Sequence, residues 1–230
     1  MASLFRKQKI FDRKGKAIEE EYLYKDIPKL LTIQNNTKKK IAMDLDLLEN
    51  FLLEDNNKKP DIIPHFNINC ETLVQKNQRV KWLFNKHISD NKKRIIEVLE
   101  TACVSKDYKM WDREVNAIRH LQQNINVDFA LDDYPEGSSN LENIRHKVIR
   151  GLKIDRLFWD SIFERYNAQN RLDVLDRAFQ IWMKKALKNN IKVITIEGIE
   201  TKEQREFIKQ IKTPDWFRLL WQWFYLHKPE

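Results

Sequence analysis

Two periods of apolar and polar residues alternate along this chain. Short apolar runs of strand length end in polar residues, and between them lie stretches with apolar residues at helical spacing. Residues 8–25 carry apolar positions on both sides of a Lys-Gly turn and predict a hairpin or two short strands. Residues 41–54 place Leu45, Leu48 and Leu52 on one helical face, with Asn56 through Pro60 stopping the helix. A strand over 62–69 follows, ending in Asn67 and Asn69, and then a helix or connector over 71–88. Strands are expected at 94–100, at 127–133, as a brief strand at 150–155, and at 191–200. Helices are expected at 109–123, 138–149 and 172–188, and another from Thr201, whose Thr-Lys-Glu-Gln run has the form of a capping box. The aromatic residues Trp216, Phe217, Trp221, Trp223, Phe224 and Tyr225 read as a closing strand and helix with ordinary core packing.

Strands alternating with helices predict parallel βα units, and a chain of this length suits a (β/α)8 barrel. In such a barrel the site is built where the strands end. Polar residues collect there: Glu21, Asn67, Glu97, Asp132, Asp133, Lys153, Glu197 and Gln222. The pair Asp132–Asp133 closes an apolar run just before a Pro/Gly turn. Neighbouring side chains on a strand point to opposite faces, so both can serve one site only where the strand is ending. Two adjacent carboxylates there repel unless a cation lies between them, although turn chemistry and capping of the next helix also suit an Asp pair. Oxygen ligands with one Lys fit hard divalent cations acting on a phosphate ester. Taken singly, each residue also has a plain reading: Lys153 as a snorkelling surface side chain, Glu100 and Glu200 as salt-bridge partners, Asn67 as a turn former.

Composition narrows the function classes. With 42 basic and 34 acidic residues the formal charge is +8, yet the Lys residues are scattered, as on a solvated surface. Direct nucleic-acid binding therefore has only composition behind it. No stretch approaches the ~20 apolar residues of a membrane span. The N-terminus turns charged before a signal-peptide core could form, which predicts a cytoplasmic protein. Cys70 and Cys103 lack metal spacing and read as reduced core residues. With no Gly/Ser linker and no solenoid-length repeat, residues 1–230 are expected to form a single domain.

The ordered segments Glu21-Tyr22-Leu23, Phe66-Asn67-Ile68-Asn69, Ile96-Glu97-Val98-Leu99-Glu100, Ala130-Leu131-Asp132-Asp133, Leu152-Lys153-Ile154-Asp155, Ile196-Glu197-Gly198-Ile199-Glu200-Thr201 and Gln222 to Pro229 resemble the EAL-domain family. Its members are cyclic di-GMP phosphodiesterases with a TIM-like barrel. The match implies an α/β fold, a TIM-like (β/α)8 barrel of the EAL type in a short stand-alone member. It also implies two Mg²⁺ or Mn²⁺ ions. One would be held by Glu21, Asn67, Glu97 and Asp132; Asp132 would bridge to a second ion also held by Asp133, with Glu197 close to the attacking water. Lys153 would orient or activate that water. Gln222 would bind water or metal at the rim, Lys25 would meet a substrate phosphate, and Glu100 and Glu200 would support the site. The implied partners are cyclic di-GMP and a second copy in a homodimer.

The chain departs from the family pattern in four places. Tyr22 replaces the signature Ala, Tyr134-Pro135-Glu136-Gly137 replaces Phe-Gly-Thr-Gly, and Trp223 stands where a Gly follows the Gln. The 46-residue interval from Glu21 to Asn67 is shorter than usual, which predicts a trimmed N-terminal helical segment. These departures motivate a second expectation: an EAL protein that binds cyclic di-GMP, or a regulatory protein partner, without turnover.

Overall fold

The computed structural model describes residues 3–26, 36–56, 61–99, 108–135, 148–214 and 217–223. Eight strands follow one another in sequence order around a closed barrel: β1 (Phe5–Asp12), β2 (Ala17–Tyr24), β3 (Ile63–Asn67), β4 (Arg94–Leu99), β5 (Val127–Tyr134), β6 (Gly151–Ile154), β7 (Val193–Ile199) and β8 (Arg218–Trp223). The described helices are α1 (Thr37–Asp55), α2 (Cys70–His87), α3 (Tyr108–Asn124), α4 (Arg156–Ala168), α5 (Leu172–Lys188) and α6 (Lys202–Gln210). None of these helices is long and apolar enough to cross a membrane.

The first strand departs from a uniform βα repeat. β1 and β2 are joined by a tight turn in which the Gly15 N–H donates to the Asp12 carbonyl and the Asp12 N–H to the Lys16 carbonyl. Gly15 has φ +83°, a left-handed conformation that favours glycine. β1 then pairs antiparallel with β8, whereas β2–β3, β3–β4, β6–β7 and β7–β8 pair in parallel.

Two compact units divide the chain: residues 1–8 with 19–130, and residues 9–18 with 131–230. In the first, Phe51 of α1 stacks on Phe66 of β3 with ring centroids 4.9 Å apart and meets Tyr22 edge-on at 4.9 Å. At the start of β4, buried Arg94 donates through Nε to Asp55 (2.8 Å) and through Nη1 to Asp90 (2.9 Å), joining that strand to the end of α1. In the second unit, fully buried Trp159 of α4 gathers Phe163, Phe179 and Phe207, which joins α4 to α5 and α6.

Most predicted elements are present with shifted ends. The segment over 71–88 is a helix, and the helix over 41–54 begins earlier because the Asn36 side chain accepts from the Lys39 N–H. The capping box forms: Thr201 Oγ1 accepts from the Gln204 N–H, and Gln204 Oε1 from the Thr201 N–H, both at 3.1 Å. Helix α4 was not expected. Its signals are Asp155, whose side chain accepts from the Phe158 N–H at 3.0 Å, and the pair Trp159 and Phe163 one turn apart. The helix expected at 138–149 lies almost wholly outside the described residues, as do Cys103, Trp216, Phe224 and Tyr225.

Candidate active site

Glu21, Asn67, Glu97, Asp132, Asp133, Lys153, Glu197 and Gln222 stand at or near the C-terminal ends of their strands, where a barrel of this kind builds its chemistry. In the first unit, Glu21 of β2, Asn67 of β3 and Glu97 of β4 come from neighbouring strands, and Asn67 is paired in register with Glu97. Asn67 Nδ2 donates to Glu21 Oε1 at 2.8 Å, an orientation that presents its Oδ1 as an acceptor. Glu21 and Glu97 are both buried.

Beside them lie two residues that sequence reasoning did not single out. His65 Nδ1 is 2.6 Å from Glu97 Oε1, and His65 Nε2 is 2.9 Å from Glu19 Oε2. Burial pulls the His65 pKa down, but the hydrogen bonds to Glu19 and Glu97 and their charges outweigh it and leave the value raised to about 9. The available signal was strand alternation: Glu19 lies two residues before Glu21, and His65 two before Asn67, so each pair shares a face.

In the second unit, Lys153 of β6 is buried with Nζ 3.0 Å from Asp132 Oδ1 and 2.8 Å from Glu197 Oε1. Asp132, Asp133 and Glu197 each bring a carboxylate oxygen within 4.8 Å of the others. Both Asp side chains reach one place because Asp133 has φ +57°, which breaks the strand's alternation where the strand ends. Gly198 has φ +69° at the irregularity in β7 just after Glu197, and a Cβ there would lie 2.3 Å from Arg156 Cγ. Arg156 passes over that bare backbone to place Nη2 2.6 Å from Glu200 Oε1. Gln222 of β8 is buried and paired in register with Ile10.

Three carboxylates gather here and two of them meet one ammonium, which leaves an excess of negative charge, and every candidate ligand atom is oxygen. That donor set fits a hard divalent cation.

Other expectations land elsewhere. Lys25 is exposed and its Nζ donates to the Ser3 carbonyl at 2.9 Å. Glu200 is exposed and salt-bridged to Arg156; Glu100 lies outside the described residues. Tyr22 does not crowd Glu21. As its strand neighbour it faces the other way, into the Phe5 and Phe51 packing, with Lys7 Nζ 4.7 Å from its ring centroid. The Trp223 indole is housed against Trp221 at 5.2 Å, with Arg205 over its face. The Tyr134–Pro135 bond is cis, Tyr134 stacks on Trp182, and its carbonyl accepts from the Asp155 N–H at 2.9 Å.

The structure resembles the PaMucR phosphodiesterase solved as a c-di-GMP complex, with TM-score 0.73 and 19% identity over 98% of this chain and 96% of that one. It also resembles the Klebsiella pneumoniae BlrP1 manganese and c-di-GMP complex (TM-score 0.70, 17% identity, 96% of this chain, 54% of that one). An EAL-domain protein from Listeria monocytogenes EGD-e is similar as well (0.67, 16% identity, 98% and 87%). No curated protein matches the sequence. At these identities the structural likeness establishes the barrel fold, while a sequence model of the EAL domain matches residues 19–214. With a match over most of its length and the carboxylates, Asn and Lys at its strand ends, the chain belongs to the EAL-domain family.

Proposed function

We propose that this protein hydrolyses cyclic di-GMP to linear pGpG using two divalent cations, Mg²⁺ or Mn²⁺. The observation that carries the reading is Lys153 Nζ held between Asp132 and Glu197, with Asp133 in the same carboxylate group. On this reading one ion would be held by Glu21, Asn67, Glu97 and Asp132, and the second by Asp132 and Asp133. When bound, such ions neutralise the phosphodiester and lower the pKa of the attacking water.

The chain's own residues supply the rest. Glu197 stands to hold that water and accept its proton through a carboxylate oxygen. Lys153 offers a desolvated positive charge to the oxyanion, where a preorganised charge acts most strongly. Gln222 contributes a buried amide at the rim. Lys25 would meet a phosphate only by leaving the Ser3 carbonyl.

The test is chromatography of nucleotide products after incubation with cyclic di-GMP and Mg²⁺ or Mn²⁺, run beside Glu21→Ala and Lys153→Ala. Metal-dependent pGpG lost in both variants supports the reading. A second reading, cyclic di-GMP reception or protein regulation without turnover, is favoured by Pro135, which removes an N–H where the family has Gly. Bound but intact nucleotide with either metal would select it.

A further inference from the structure

Glu19 and His65, which form a buried triad with Glu97, are not part of the ligand set just assigned. All three side chains are buried, at 0%, 2% and 0% exposure, on three adjacent strands of the first unit. Both His65 ring nitrogens face carboxylate oxygens, at 2.9 Å toward Glu19 and 2.6 Å toward Glu97. The ring is thus pinned between two carboxylates, one at each nitrogen. The ring thereby takes hold of Oε1 of Glu97, whose register partner is Asn67, while Glu21 is the register partner of His65 itself.

We propose that His65, oriented by Glu19, is a positioning residue that sets the Glu97 carboxylate for a divalent cation. This inference rests on the metal-dependent reading above. With Oε1 held by the ring, the rotamer of Glu97 is set before any ion arrives. Glu19, on the ring's other nitrogen, fixes the orientation in which the ring meets Glu97. A hydrogen-bonded partner behind a ligating carboxylate is worth roughly 10- to 100-fold in metal affinity. Without the ring, Glu19 and Glu97 would confront each other as buried like charges, and Glu97 would turn to separate them.

The experiment is direct Mn²⁺ titration by electron paramagnetic resonance or calorimetry, without nucleotide. It compares the native chain, His65→Ala and His65→Gln, with melting temperatures recorded alongside. The expected result is a Kd for Mn²⁺ weakened roughly tenfold or more in His65→Ala and largely recovered in His65→Gln, whose amide can still donate to Glu97. If His65→Ala does not fold, Glu19→Ala/His65→Ala removes the like-charge confrontation and should show the same weakening. Native Mn²⁺ affinity in these variants, with only the melting temperature lowered, overturns the proposal and leaves the triad a packing device. Absence of Mn²⁺ binding by the native chain overturns it in a different way, by removing the metal-dependent reading beneath it.

Discussion

At the scale of single residues, buried charge decides which side chains matter. Lys153 is enclosed with two carboxylates, so Lys153→Met leaves Asp132 and Glu197 without their common cation. Turnover should fall by about 10²-fold or more, and excess Mg²⁺ should recover stability without recovering rate. Product chromatography and thermal melts on one preparation separate these effects. Glu114 is a buried acid outside the site, and its Oε2 has no hydrogen-bond partner among the described residues. Burial first and the neighbouring Glu71 charge second raise its pKa from 4.5 to about 7. Below the unfolded value Glu114 is protonated in both states and costs nothing. Between the two values the folded chain keeps a proton that the unfolded chain has released, so stability falls as pH rises, and the loss is complete above the folded value. Glu114→Gln should therefore stabilise the protein by about 1–2 kcal/mol at pH 8 and not at pH 4, as read from urea denaturation at both. Asp132 and Asp133 stood out because the apolar run Phe129-Ala130-Leu131 stops at them. His65 did not, since neither carboxylate that meets it is near it in sequence.

Elements depend on residues contributed by their neighbours. Helix α2 has no side-chain cap of its own at Asn69; instead Asp44 of α1 accepts from the Asn69 N–H (3.1 Å), from its Nδ2 (2.9 Å) and from Thr72 Oγ1 (2.5 Å). Those bonds also tether the turn that leaves β3 at Asn67. Asp44→Ala should cost about 2 kcal/mol in urea denaturation, because a helix start and a side-chain amide both lose their acceptor. Gly198 shapes the end of β7 in a comparable way. Gly198→Ala would force a Cβ into Arg156 in a conformation that L residues rarely adopt. A loss of about 1–3 kcal/mol is expected, along with reduced turnover, because Glu197 is the preceding residue. Circular dichroism melts and product assays check both. Local chemistry was enough to read the α6 capping box, whose bonds span a single turn. The missed α4 shows where local pattern misleads: Leu157 is 75% exposed, so the apolar run after Asp155 mixes buried and solvent-facing positions.

For the whole molecule, a cation that binds only the folded chain must stabilise it. Mg²⁺ or Mn²⁺ at 100 times its Kd should add about 2.7 kcal/mol, visible as a raised melting temperature that EDTA reverses and Asp133→Asn diminishes. The sequence by itself determined the alternation of strands and helices and the polar residues set among apolar ones toward the ends of several strands. The alternation follows from backbone periodicity, which acts over a few residues. Only the tertiary structure decided the antiparallel placement of β1 on β8, the outward packing of Tyr22, the housing of Trp223 and the union of His65 with Glu19 and Glu97. The register between strands dozens of residues apart sets which side chains meet, and burial then sets their charge; neither quantity is encoded in a local run of residues.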